Sequence, residues 1–213
     1  SNFPTLVIDP QLVWATFFGG EDSHEGAMSV ACDLSGNVFV TGYTSSINFP
    51  ITPGVFQSVN VSGGLGYDAF IVKFDNAGAL IWSTYYGGTA LDIANSICID
   101  PAGNIFVAGQ TGSADFPVLN FFQGVYAGGA YDAFILKFSN AGLRIWDTFY
   151  GGPGDDRGHS ICNDSAGNIF VTGQTDSTNF PLLNFPGAYY QNLNAGKNDA
   201  FVLKLSNAGT QLW

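Results

Sequence analysis

Hydrophobic and polar residues alternate along this chain in short runs, each closed by glycine and asparagine. Residues 96–150 show one full cycle. Residues 96–100 (SICID) alternate and stop at 101–104 (PAGN), where glycine and asparagine suit a turn with positive φ. Residues 105–111 (IFVAGQT) follow, rich in β-branched and aromatic side chains. After a long loop over 113–131 comes 132–138 (DAFILKF), with Phe134, Leu136 and Phe138 on one face. A second turn, 139–142 (SNAG), leads to 143–150 (LRIWDTFY), which ends at Gly151 and Gly152. The two-residue period predicts four strands, and no stretch carries the 3.6-residue period of a helix.

The cycle repeats. Trp14, Trp82, Trp146 and Trp213 lie 68, 64 and 67 residues apart, and the first three open WATFFGG, WSTYYGG and WDTFYGG. Gly-Asn at 36, 103 and 167, Phe-Pro at 49, 116 and 180, and Asp-Ala-Phe at 68, 132 and 199 keep the same step. Four short strands in about 65 residues, repeated without interruption, are what a propeller blade requires. A solenoid uses shorter coils, and a sandwich does not repeat so regularly. The expected fold is therefore all-β: a β-propeller of four-stranded antiparallel blades, with roughly three blades present as part of a ring.

On this reading residues 1–18 lead in and end in an isolated closing strand, LVWATFF. Blade repeats occupy 19–86, 87–150 and 151–213, the last cut short in its fourth strand. Three blades are too few to close a ring. Either more blades follow Trp213 or two chains associate as half-rings, and a chain cut from something longer is the simpler expectation.

Charge narrows the partners. Seventeen acidic residues against six basic ones give a net charge of −11, which repels phosphate backbones and argues against nucleic acid. No run of about 18 apolar residues is present for a membrane-spanning helix. Cys32, Cys98 and Cys162 include no CxxC pair, so the expectation is buried thiols rather than a zinc site.

The pattern GGxxxD, IxxDxxGNxFVTGxT, FP, DAFxxKF and NAGxxxW resembles the SBBP family of bacterial β-propeller repeats, distant relatives of NHL-type repeats. It is carried by GGPGDDRGHSICNDSAGNIFVTGQT, NDAFVLKLSNAG and their sister copies, over nearly the whole chain. The opening NFPTLVIDPQLVWATFFGG is similar to the junction at which such propellers follow a β-rich domain in large secreted proteins. Those proteins occur notably in Bacteroidetes and often end in a type IX secretion sorting domain. The resemblance implies an extracellular or cell-surface location and further blades or domains in the same parent chain.

Candidate chemistry centres on acids that recur with the repeat. Glu25, Asp92 and Asp156 each lie four residues before the serine expected to open a first strand, Ser29, Ser96 or Ser160. With Asp22 and Asp155 they form a candidate arc for calcium, which takes six to eight oxygens on irregular loops. The alternative reading is that each carboxylate fixes its turn by accepting backbone N–H bonds. Asp68, Asp132 and Asp199 read as repeated caps, and Asp33, Asp100 and Asp164 as turn stabilisers. Lys73, Lys137 and Lys204 share one repeat position and are expected to pair with a repeated carboxylate or to protect a strand edge. His159, beside Asp155, Asp156 and Arg157, stands where the other repeats have Met28 and Asn95.

Loops between second and third strands vary most, and Tyr126, Tyr131, Tyr189 and Tyr190 within them are, with His159, the candidate ligand contacts. Catalytic carboxylates need unlike environments, which identical copies do not offer, and no nucleophile or metalloprotease motif occurs. The expectation is a non-catalytic surface scaffold binding protein or glycan. The alternatives are a glycan-active lyase or hydrolase at one propeller mouth and a purely structural spacer.

Overall fold

A computed structural model describes residues 12–21, 24–120, 122–187, 189–194 and 196–213. The described residues form three antiparallel sheets and no helix. The first sheet holds β1 (Glu25–Cys32), β2 (Val38–Thr44), β3 (Asp68–Phe74) and β4 (Leu80–Tyr86) in that order. The second holds β5 (Asp92–Ile99), β6 (Ile105–Thr111), β7 (Asp132–Phe138) and β8 (Arg144–Tyr150). The third holds β9 (Asp156–Asn163), β10 (Ile169–Thr175) and β11 (Asp199–Leu205). Each sheet is one blade of a partial propeller, with sequence neighbours paired as hairpins. In the third, a single bridge between Leu205 and Gln211 begins the outer strand.

Each first strand starts four residues earlier than the alternation suggests, at Glu25, Asp92 and Asp156 rather than at the serines. The cause is a β-bulge. The register skips one residue between Ala27 and Ser29, between Ala94 and Ser96, and between Gly158 and Ser160. The extra residue breaks strict alternation and hides the head of the strand from a pattern search.

Blades stack through their faces. β7 is buried along its whole length, so the apolar residues on both its faces are used, not only Phe134, Leu136 and Phe138. Between the first two blades, Phe39, Ile71, Trp82 and Tyr86 pack with Ile97, Phe116, Phe134 and Phe138. Between the second and third, Phe106, Ile135, Trp146 and Tyr150 pack with Ile161, Phe180, Phe201 and Leu203. The Phe-Pro phenylalanines pin the long loops: Phe49, Phe116 and Phe180 lie 4.7–4.8 Å, ring to ring, from Phe70, Phe134 and Phe201.

A polar clasp accompanies this packing. Asn140, in the β7–β8 turn, reaches the first blade. Its backbone carbonyl accepts from Trp82 Nε1 at 3.1 Å and Lys73 Nζ at 3.3 Å. Its side-chain carbonyl also accepts from Lys73, and its amide donates to Asp33 Oδ2 at 3.2 Å. Asn207 makes the same contacts with Trp146, Lys137 and Asp100 one blade later. The expectation of a lysine–carboxylate pair is thus corrected. The lysine meets asparagine oxygens directly, and the carboxylate joins through the asparagine amide. Lys73 and Lys137 also lie 5.2 Å from the ring centroids of Phe39 and Phe106.

Two further expectations change. The segment LVWATFF forms no strand over its residues 12–18 and has no paired strand among the described residues. Its rings still take the outer-strand positions against the first blade: Phe18 is 5.0 Å from Phe49, as Tyr86 is 5.1 Å from Phe116. The cysteines are free, Cys32 and Cys162 exposed and Cys98 only partly buried. Cys98 and Cys162 oppose Phe106 and Phe170, whereas Cys32 opposes Val38, one register position later and on the other face. Innermost strands are covered less fully than middle ones, so a thiol there stays accessible.

Truncating the clasp or the loop pin measures these joints. Asn140→Ala removes the side-chain acceptor of Lys73 and the donor to Asp33, leaving only the backbone carbonyl, and is expected to cost about 1–3 kcal/mol. Phe116→Ala opens a cavity between blades and is expected to cost about 3–5 kcal/mol. Urea denaturation followed by circular dichroism reads both, and losses under about 1 kcal/mol would mean the joint contributes little.

Candidate functional site

Glu25, Asp92 and Asp156 take equivalent places at the heads of the three first strands. Each binds the double-glycine turn that leads into its blade. Gly20 N–H donates to Glu25 Oε1 at 3.2 Å, Gly88 N–H to Asp92 Oδ2 at 2.7 Å and Gly152 N–H to Asp156 Oδ2 at 2.7 Å. The same oxygens accept hydroxyl bonds from Ser46, Ser113 and Ser177. The carboxylates therefore tie each blade's inner strand to the segment entering it. Asp22 lies outside the described residues. Among the described residues, no three histidine, cysteine or acidic side chains converge on a point that holds a metal.

The structure brings together pairs that linear inspection keeps apart. Asp68 at the head of β3 lies near Asp92 of the next blade, and Asp132 at the head of β7 near Asp156. A methyl group at Gly87 would stand 2.6 Å from Asp92 Oδ2 and 3.1 Å from Asp68 Cγ. One at Gly151 would stand 2.6 Å from Asp156 Oδ2 and 3.0 Å from Asp132 Oδ1. The first glycine of each pair is thus required by space. All four carboxylates are buried. Burial pushes the Asp92 and Asp132 carboxyls up to about 7 against the pull of their hydrogen bonds, and the neighbouring acid adds to the rise. Asp68 and Asp156 are raised by the same desolvation.

The turn acids behave oppositely. Burial acts against ionisation of Asp100, but bonds from Asn104 and Asn207 and the charge of Lys137 hold its carboxyl below the usual range. Asp164, bonded by Asn168, is likewise lowered.

The candidate contact residues divide. Tyr126 is partly buried, its ring centroid 6.0 Å from that of Phe149 and its hydroxyl donating to Gly129 O at 3.0 Å. Burial, with Asp132 nearby, pushes that hydroxyl up to about 12. Tyr131 carries Arg157 4.6 Å above its ring, and Arg157 in turn reaches Asp155 at 3.6 Å. Tyr126 thus holds its loop onto the second blade, and Tyr131 with Arg157 braces the joint between second and third blades. Tyr189 and Tyr190 are exposed and line a cleft of 710 Å³ with Leu193, Phe201 and Trp213. His159 is the bulged residue of β9 and is exposed, its Nε2 3.2 Å from Gln174 Oε1.

That bulge accounts for the repeat position that His159 shares with Met28 and Asn95. Met28, Asn95 and His159 occupy the same bulged place on successive inner strands and differ chemically. Asn95 donates across the joint to Gly158 O at 2.8 Å. The buried Asp147 is left unmarked by the sequence pattern: Arg144 holds it by a bidentate pair, and the guanidinium lies 4.7 Å from the ring of Phe56 in the preceding blade. Only the blade stacking exposes that link.

A pH dependence follows from the raised carboxyls. The folded chain holds these protons more tightly than the unfolded chain. Stability is therefore expected to fall as pH rises from about 4, the ordinary carboxylate range, through about 7, and then to level off. Melting temperature against pH checks this, with a drop of several degrees between pH 5 and 8. The double substitution Asp92→Asn and Asp132→Asn should flatten the profile, and an unchanged slope would show that the pairs do not carry it.

Comparison with known proteins agrees with this architecture. Residues 81–117 and 145–181 match the family model described as the SBBP beta-propeller repeat. The chain is also similar to an uncharacterized WD repeat-containing protein of Acanthamoeba polyphaga mimivirus, 25% identical over 231 residues. That similarity covers 96% of this chain, which spans only 16% of the relative's length. Each matched stretch begins in an outer strand, crosses a blade joint and ends at the Phe-Pro pin, so these two stretches are similar to the SBBP beta-propeller repeat.

Proposed function

We propose that this chain is a non-catalytic interaction scaffold whose variable loops, carried on rigid blades, bind a protein or glycan outside the cell. One observation carries the reading: the repeated polar residues are consumed in holding the structure together, while the non-repeated apolar ones are left exposed. The buried acids grip turns and neighbouring blades, and the lysines grip asparagines. By contrast Leu65, Val125, Phe185, Tyr189 and Leu193 are exposed on the loops between second and third strands. Exposed aromatic and aliphatic side chains on a fixed frame suit contact rather than bond-breaking.

The carboxyls with raised affinity for protons do not support catalysis. They are buried beneath the double-glycine turns, and they occur as like copies in two joints. Similarity to a WD repeat-containing protein is consistent with a scaffold. The extracellular setting rests on the likeness of the repeat to those of secreted bacterial proteins. A neutral glycan is the partner to test first, because the aromatic and amide groups of residues 185–194 carry no charge and suit stacking on sugar rings.

A glycan array probed with the purified chain checks this. Binding without turnover is expected, weakened at least about tenfold by Tyr189→Ala, a loss of about 1.4 kcal/mol. Cleavage of a bound glycan that disappears in His159→Ala would replace the scaffold reading with an enzymatic one.

A further inference from the structure

The two carboxylate pairs between blades are alike in sequence and unlike in bonding. In the first joint Asp68 is capped at both oxygens. Its Oδ2 accepts from Gln57 Nε2 and from Val61 N–H, each at 2.9 Å, and its Oδ1 from Ser62 N–H at 3.2 Å. In the second joint Asp132 Oδ2 accepts from Ala127 N–H at 2.7 Å and, more distantly, from Gln123 Nε2 at 3.5 Å. Asp132 Oδ1 is buried and accepts no hydrogen bond from the described residues.

The loop accounts for the difference. Residues 57–68 read QSVNVSGGLGYD, and the matching residues 123–132 read QGVYAGGAYD, two residues shorter. Val61 and Ala127 hold the same place and bond the acid alike. Ser62 follows in the first blade and caps the second oxygen. Gly128 follows in the second, at a φ of 138° that glycine alone adopts readily, and the cap is lost. Where the first blade has Asn60, spent on its own loop by accepting from Ser62 Oγ and Gly64 N–H, the second has Tyr126. The Tyr126 hydroxyl is raised by burial and then by the charges of Asp132, Asp155 and Asp156, which places it beside the acids.

Across the second joint Asp156 shows the same shortage. Its Oδ2 accepts from Gly152 N–H and Ser177 Oγ, each at 2.7 Å, while its Oδ1 is buried and accepts no hydrogen bond. Asp132 and Asp156 are both fully buried, so bulk water does not supply the missing donors. The two carboxylates meet at the cradle of Gly151, which a methyl group would fill. Asp92 Oδ1 also lacks a donor, so the first joint offers one free oxygen and the second offers two. Buried acceptors are ordinarily satisfied, and two that carry like charge and face one joint call for a positive partner.

We propose that the second joint binds a divalent cation of the calcium class between Asp132 and Asp156, with the Oδ1 atom of each as a ligand. Two carboxylates balance the charge of one such ion, and the donors are oxygen alone. Calcium tolerates the irregular shell that water and peptide oxygens of the glycine turns complete, whereas magnesium demands near-octahedral geometry and gives up water reluctantly. The ion ties the head of β7 to the head of β9, across the joint and not along the arc of first-strand acids. The first joint, where Ser62 caps Asp68, takes none. The inference does not rest on the scaffold reading.

Calcium titration of the EDTA-treated chain at about pH 8, above the raised Asp132 carboxyl, reads the site by calorimetry and by melting temperature. One ion per chain is expected, with a dissociation constant of about 0.1–1 mM. Melting should rise by several degrees between EDTA and about 10 mM calcium, since only the folded chain holds the pair together. Asp132→Asn keeps the shape and removes one charge. It should weaken binding at least about tenfold and leave the chain at least as stable in EDTA, because the buried repulsion is gone. Asp68→Asn should leave calcium binding unchanged. No ion bound to the unaltered chain would overturn the proposal, as would binding that survives Asp132→Asn or is lost equally in Asp68→Asn. Equal stabilisation by magnesium would show general screening of an acidic surface and refute the site.

Discussion

Strand β7 is buried on both faces along its length, and a lone four-stranded sheet has nothing to cover them. Burial of a phenylalanine or leucine side chain stabilises by about 1.5–3 kcal/mol, so a blade gains most of its stability from its neighbours. Every other feature serves that face-to-face stacking. The Phe-Pro pins fill the gap where long loops leave the sheet, and the outer-strand tyrosines reach across to those pins. The asparagine clasp satisfies the polar groups that stacking would otherwise bury unpaired.

The paired carboxylates are a consequence of the same stacking. One strand of each blade must begin beside one strand of the next, and each begins with an acid. The chain accommodates them by keeping the proton affinity of two carboxyls high and by placing glycine where a side chain has no room. Such groups resemble catalytic acids in their titration, yet they sit beneath the turns that bind them. Buried titrating groups identify a functional site only where a substrate can reach them.

Stacking also separates framework from contact surface. Repeated residues meet identical surroundings in each joint, which ties them to structural roles. The loop residues that differ, and the bulged Met28 and His159, lie outside those constraints, whereas Asn95 at the same place bonds across a joint.

Much of this was legible in the residues themselves. Spacing of the tryptophans, Gly-Asn turns and Phe-Pro pairs determined the four-strand unit and its repetition, because local alternation and turn chemistry act over a few residues. The roles of Asp33, Asp100 and Asp164 followed in the same way, since each bonds to its own turn. The one-residue bulge was not legible: its cost and benefit depend on what the inner strand meets across the joint. Nor were the lysine–asparagine clasp, the Asp68–Asp92 and Asp132–Asp156 pairs, or the exposure of Cys32, because their partners lie far along the chain or depend on register. Sequence by itself determined which strands form and in what order. Tertiary structure alone decided which side chains meet, because contacts between blades are set by the stacking of sheets and not by distance along the chain.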